Sequence, residues 1–200
     1  MSQTRMAILK DTSLCVACFA CRVACQNQNS LSAERSYLSL EFLEKGSFPN
    51  VENHLARKSC MHCGDAPCET ICPVGAISTS PQGFVDIDNY TCIGCGICVN
   101  TCPYDIPEIR LATIYKCSGC ASYVSAGNEP VCVDTCIANS LEYGPREELI
   151  AKAQARVEQL KEKYPEANLY GVDQQGGLGL LMILRVHPSE FGLSGTRVLL

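Results

Sequence analysis

Apolar and polar residues alternate over residues 36–44 (SYLSLEFLE), placing Leu38, Leu40 and Phe42 on one side of an extended chain and predicting a strand. A second alternation, GFVDID at 83–88, predicts a shorter strand with Val85 and Ile87 inward, expected to pair in a small hairpin over any site nearby. Further along, the period changes. Leu149, Ala153, Val157 and Leu160 recur at helical intervals among Lys, Arg and Glu, which predicts one amphipathic helix over 147–164 that ends before Pro165. Gly176-Gly177 then precedes an apolar run to Val186, read as a strand returning to the body. Residues beyond His187 carry no readable pattern. The longest apolar run, 178–184, is interrupted by Gly179 and stopped by Arg185, far short of the ~20 residues that span a bilayer. No membrane span is expected.

Composition changes this picture in one respect. The chain has 46% hydrophobic and 18% charged residues, as a globular protein does, but 16 of its 200 residues are cysteine. Cysteine chemistry is therefore expected to organise most of the fold, with no large hydrophobic core. The segment MSQTRMAILKDTSLC has no apolar run of signal-peptide length, so metal binding is expected over a secreted disulfide scaffold, and cytoplasm is favoured. A formal charge of −5 argues against a phosphate-binding surface, and nucleic acid is not an expected partner.

The cysteines fall into four groups: Cys15, Cys18, Cys21 and Cys25; Cys60, Cys63, Cys68 and Cys72; Cys92, Cys95, Cys98 and Cys102; and Cys117, Cys120, Cys132 and Cys136. Groups one and three read C-x2-C-x2-C-x3-C, the second C-x2-C-x4-C-x3-C, and the fourth C-x2-C-x11-C-x3-C. Shared opening and closing intervals indicate a duplicated unit. A cubane cluster needs four thiolates around a compact object, and ligands two residues apart let one loop wrap three of its corners. Structural zinc motifs rarely crowd a third cysteine two residues on. Disulfides are disfavoured because three sulfurs within seven residues leave few relaxed pairings.

Groups two and three end in Cys72-Pro73 and Cys102-Pro103 and resemble one complete bacterial ferredoxin module. In such modules the cysteine after the x3 interval serves the other cluster. Transferred here, that rule assigns Cys60, Cys63, Cys68 and Cys102 to one cluster, and Cys92, Cys95, Cys98 and Cys72 to its neighbour. Groups one and four have Gln26 and Ile137 in place of the proline. By elimination they form a second module, with Cys15, Cys18, Cys21 and Cys136 on one cluster and Cys117, Cys120, Cys132 and Cys25 on the other. Sixteen ligands fill four 4Fe-4S clusters with no open iron, so substrate chemistry on this chain is not expected. At about −2 each, the clusters would take the chain from −5 to about −13. Compensation is expected from backbone N–H groups in tight loops, where Gly64, Gly94, Gly96 and Gly119 let the chain turn close to sulfur. His62 is read as a packing neighbour before a sulfur donor, and Lys116 and Arg22 as solvated. His54 and His187 have no assignable partner.

With these motifs in order over residues 4–145, the chain resembles the four-cluster ferredoxin-like beta subunits of molybdenum or tungsten bis-pterin oxidoreductases of the dimethyl sulfoxide reductase superfamily. The helix at 149–164, Asn168-Leu169-Tyr170-Gly171 and the strand after Gly176 are similar to the formate dehydrogenase branch in particular. Relatives that hold a three-iron cluster replace a group-three ligand with tryptophan, which this chain lacks. The resemblance implies an α+β fold of two nested modules. Residues 1–35 and 104–145 form the outer one and 56–103 the inner one, with a strand-containing insertion at 36–55 and a helix, strand and tail at 146–200. It also implies electron relay between a Mo/W-bis-pterin catalytic subunit and a further redox subunit, a flavoprotein, cytochrome or ferredoxin. Polysulfide, thiosulfate and dimethyl sulfoxide reductases, and tungsten aldehyde-oxidising or aromatic-reducing enzymes, use similar subunits. A free-standing polyferredoxin is a reading from another class, and co-export with a signal-bearing catalytic subunit would place the protein in the periplasm.

Overall fold

The computed structural model describes residues 4–193; the extreme ends of the outer and C-terminal segments expected above, 1–3 and 194–200, lie outside the described residues. Strands and short helices are interspersed. In order they are β1 (Met6–Asp11), α1 (Ala20–Gln28), β2 (Leu38–Ser47), β3 (Asn50–Ser59), α2 (Pro67–Thr70), β4 (Ile77–Thr79), β5 (Val85–Ile87) and α3 (Ile97–Thr101). There follow β6 (Glu108–Arg110), β7 (Thr113–Tyr115), α4 (Ala121–Ser125), α5 (Val131–Asp134), β8 (Leu141–Pro145), α6 (Arg146–Lys161), β9 (Asn168–Tyr170) and β10 (Leu180–Leu184).

The expected strand at 36–44 is β2, which pairs antiparallel with β3 from Leu38↔Ser59 to Ser47↔Asn50. Its apolar side is not uniformly inward: Leu38 is buried, whereas Phe42, nearer the hairpin tip, is 48% exposed. The alternation at 83–88 is β5, which pairs with β4; Val85 is buried and Ile87 packs at the core's edge. The expected helix is α6, with Leu149, Ala153, Val157 and Leu160 all buried. Glu147 and Glu148 in its first turn and Lys161 in its last complement the helix dipole. The Gly-Gly strand is β10.

β10 sits inside a four-stranded sheet of order β8-β1-β10-β9, parallel to β1 and antiparallel to β9. Being covered on both faces, it reads as an unbroken apolar run, LLMIL. One face of the sheet sends Ala7, Leu9, Leu181 and Ile183 against Leu149, Ala153 and Val157 of α6. The other sends Ile8, Leu180, Met182 and Leu184 into a core shared with Cys25, Cys63, Cys98 and Cys132. The expectation of no large core is thus corrected. The apolar wall arises because strands from both ends of the chain close one sheet, which no local pattern in the sequence reports. Among the described residues, no helix is long and apolar enough to cross a membrane.

Candidate metal centres

The cysteine groups sit on loops that run into short helices. Cys21 and Cys25 lie in α1, Cys68 in α2, Cys98 in α3 and Cys132 in α5, and Cys72, Cys102 and Cys136 follow close behind the last turn of their helices. The helices pack in pairs, α2 with α3 and α1 with α5, so the closing cysteine of one group is carried towards the loop of another. None of the sixteen is paired in a disulfide.

One cavity is lined by Cys60, Cys63, Cys68 and Cys102, with Val85, Tyr104 and Lys116 in its walls. A second is lined by Cys72, Cys92, Cys95 and Cys98 among Pro73, Val74, Ile77, Ile87 and Ile93. Each draws three cysteines from one group and the fourth from the other. In the other half of the molecule, the Cys25 thiol lies within electrostatic reach of Cys132 and Cys120, and Cys21 lies near Cys15 and Cys132. Cys136 packs half-buried against the shared core. Cys18 and Cys95 are exposed. Among the described residues, no three His, Cys, Asp or Glu side chains gather as one metal ion would need. Soft sulfur donors spread around the walls of an apolar cavity instead suit a multi-atom iron-sulfur cofactor.

Burial acts strongly on several of these thiols. Burial, then repulsion from Cys60, Cys102 and Cys68, pushes the Cys63 thiol up to about 12. Burial likewise drives Cys25 and Cys68 to about 11, and Cys117 to about 12. Such thiols resist ionisation unless a metal takes the thiolate. Cys72 differs. Its burial is slight and is outweighed by the backbone N–H groups of Val74, Ala76, Ile77 and Gly75, which lower it below the ordinary thiol range. The Gly119 N–H donates to Cys117 Sγ at 3.3 Å, as expected of a tight sulfur-facing loop. Gly64 has a different reason for being glycine. Its N–H donates to the Gly177 carbonyl at 2.7 Å, and a Cβ there would lie 2.1 Å from the Gly176 oxygen.

Lys116 is not solvated, as the sequence suggested. It is 7% exposed, and its Nζ donates to the Val85 and Cys117 carbonyls, because the segments carrying the second and fourth groups close over it. Arg22 is partly exposed. His62 packs edge-on against Phe84, with ring centroids 4.9 Å apart, and its Nδ1 accepts from the Val85 N–H at 3.1 Å. Burial, then Lys116 and Arg57, holds it neutral, well below the ordinary imidazole range. His54 does have partners, Glu52 at 3.1 Å and the edge of Tyr164, while His187 Nδ1 meets Ser189 Oγ at 2.7 Å.

Two residues near the thiols had no signal in the cysteine spacing. Lys10, in β1, is 2% exposed and donates to Ser140 Oγ at 2.8 Å, with Cys21 in its field. Arg57, in β3, is 3% exposed, donates from Nη1 to Cys132 Sγ at 3.5 Å and is held by Ser59 Oγ at 2.9 Å. Burial opposes its charge, but Cys132, Cys117 and Cys21 outweigh burial and raise the guanidinium above its ordinary value. Neither stands out in the sequence: Lys10 ends the short run Met6-Ala7-Ile8-Leu9, and β3, NVENHLARKS, is largely polar.

A 4Fe-4S dicluster domain matches residues 51–146 of the sequence. The iron-sulfur subunit of the nitrate-inducible formate dehydrogenase of Escherichia coli K12 is 33% identical over 202 residues, covering 91% of this chain and 69% of that protein. The iron-sulfur subunit of formate dehydrogenase-O from the same organism is 35% identical over 203 residues, covering 91% and 67%. One polypeptide of the anaerobic dimethyl sulfoxide reductase of Haemophilus influenzae is 33% identical over 153 residues, covering 71% and 75%.

Proposed function

We propose, from the premise that this protein belongs to the family of non-catalytic iron-sulfur electron-transfer subunits of formate dehydrogenases and dimethyl sulfoxide reductases, that it relays single electrons along a line of four 4Fe-4S clusters. Such clusters each accept and release one electron, and the residues here hold, space and insulate them. The two cavities that each bring three cysteines of one group to a fourth from another carry this reading. The ligand sets are those given by the crossed rule: Cys60, Cys63, Cys68 and Cys102; Cys92, Cys95, Cys98 and Cys72; Cys15, Cys18, Cys21 and Cys136; Cys117, Cys120, Cys132 and Cys25. Neighbouring thiols support an order along the line. Cys21 is close to Cys132, Cys117 to Cys60, and Cys68 to Cys98. The set of Cys15 then comes first, followed by those of Cys117, Cys60 and Cys92. Packing of α2 on α3 and of α1 on α5 supports an inner module at 56–103 nested within an outer one at 1–35 and 104–145, with an insertion at 36–55 and a C-terminal addition at 146–200.

The catalytic partner is a Mo- or W-bis-pterin subunit of formate dehydrogenase type. Similarity to the formate dehydrogenase subunits extends over 91% of the chain, against 71% for the dimethyl sulfoxide reductase polypeptide, and so takes in more than the cysteine-bearing part. Exposed apolar side chains beside cluster ligands, Val16 at 65%, Ile93 at 61% and Ile137 at 77%, favour a subunit over a free polyferredoxin. Anaerobic native mass spectrometry with iron and sulfide analysis tests the proposal. The expected result is about sixteen irons and a co-purifying pterin subunit. A lone monomer with the same iron would favour the free carrier, and zinc without sulfide would reject clusters altogether.

A further inference from the structure

Lys10, Arg57 and Lys116 are buried in the half of the molecule that holds the cysteines, at 2%, 3% and 7% exposure. Each has a distinct place relative to the ligand sets. Arg57 bonds Cys132, and Cys25, Cys117 and Cys120 of the same set all lie in its field, as does Cys21 of the adjoining set. Lys116 donates to the Cys117 carbonyl at 3.1 Å and lines the cavity of Cys60, Cys63, Cys68 and Cys102. Lys10 stands by Cys21. The set of Cys72, Cys92, Cys95 and Cys98 is different. Its cavity walls are apolar, and the groups acting on Cys72 and Cys98 are backbone N–H donors and other thiols.

A cation held in a water-poor site stabilises the form of a neighbouring redox centre that carries one more negative charge, and the low dielectric strengthens that preference. We propose that Arg57, seconded by Lys116, sets the potential profile of the line. Arg57 makes the position of Cys25, Cys117, Cys120 and Cys132 the most readily reduced. One electron moves at a time, from one position to its neighbour, with no bond broken and no proton required. An interior resting place for the electron follows. This inference rests on the four-cluster reading above.

The test uses the complex purified anaerobically, with iron counted and each centre titrated by EPR at controlled potential. Arg57→Gln should keep about sixteen irons. It should weaken reduction of the Cys25/Cys117/Cys120/Cys132 centre at least tenfold, a downward shift of ~59 mV for one electron. The Cys15 set should shift less and the Cys72 set not at all, and Arg57→Lys should restore most of the loss. Lys116→Gln provides the second measurement if Arg57→Gln does not load its iron, with shifts confined to the centres of Cys60 and Cys117. Four unchanged midpoints in a fully loaded variant, or equal shifts in Arg57→Gln and Arg57→Lys, would overturn the proposal. A wild-type protein with only about eight irons would instead overturn the four-cluster reading.

Discussion

Gly119 shows how little room the sulfur-bearing loops leave. Its φ is +66°, and an added Cβ would stand 2.5 Å from the Phe84 ring, one of the largest fully buried side chains. Gly119→Ala should cost about 1–3 kcal/mol through strain and overpacking. It should also displace the N–H that faces Cys117, seen as a lower thermal midpoint and reduced iron content. The crossed ligand sets predict a different residue-scale result. Cys72→Ser should disturb the centre of Cys92, Cys95 and Cys98, and Cys102→Ser that of Cys60, Cys63 and Cys68, as read by EPR of each variant. Damage falling first on the mutated residue's own group would reject the crossing.

Among the elements, α6 and β10 were legible because their signals are local: a 3.6-residue period in one and an unbroken apolar run in the other. β1, β3 and β8 were not. They are short or polar, and Lys10 and Arg57 inside them look like solvent-facing residues until thiols distant in sequence are placed beside them. The cysteine spacing gave the grouping, yet the buried cations depended on tertiary closure. In the sheet–helix layer, Leu181→Ala removes a fully buried side chain and should cost about 2–5 kcal/mol, lowering the apparent thermal midpoint by several degrees. The β2–β3 hairpin carries a pH dependence. Burial of His54, 3% exposed, and the nearby Arg185 hold its imidazole below the ordinary 6.5. The folded hairpin therefore keeps His54 neutral while the unfolded state binds a proton near 6.5. Stability is undiminished above that pH and falls as pH drops below it. Proteolysis of the hairpin should accelerate between pH 7.5 and pH 5.5, and His54→Gln should flatten that response.

At the scale of the whole molecule, two kinds of interior meet on one sheet. The α6 side is closed by aliphatic side chains with Tyr164 packed at their edge, whereas the opposite side includes Cys25, Cys63, Cys98 and Cys132 among its buried residues. Extraction of iron by chelation should therefore abolish the visible absorption and loosen the cysteine half, while much of the helical circular dichroism from α6 persists. Equal loss of both signals would show a single cooperative unit. Arg146 ties the two sides: its guanidinium donates to the carbonyls of Leu178, Gly171 and Val172, fixing the loop that also closes over Gly64.

The parallel pairing of β1 with β10 joins Ile8 to Leu180 and Asp11 to Ile183. On the ribosome those partners emerge far apart in time. At typical elongation rates the delay is roughly ten to thirty-five seconds. For most of it, the thiols of the first group are already outside the exit tunnel with no finished sheet behind them. Nascent polypeptides thus face a window in which oxygen, stray zinc or premature disulfides compete for those sulfurs. Assembly factors that deliver iron and sulfide would have to act on an unfinished body, or a holding chaperone would have to shield it until the last strand arrives.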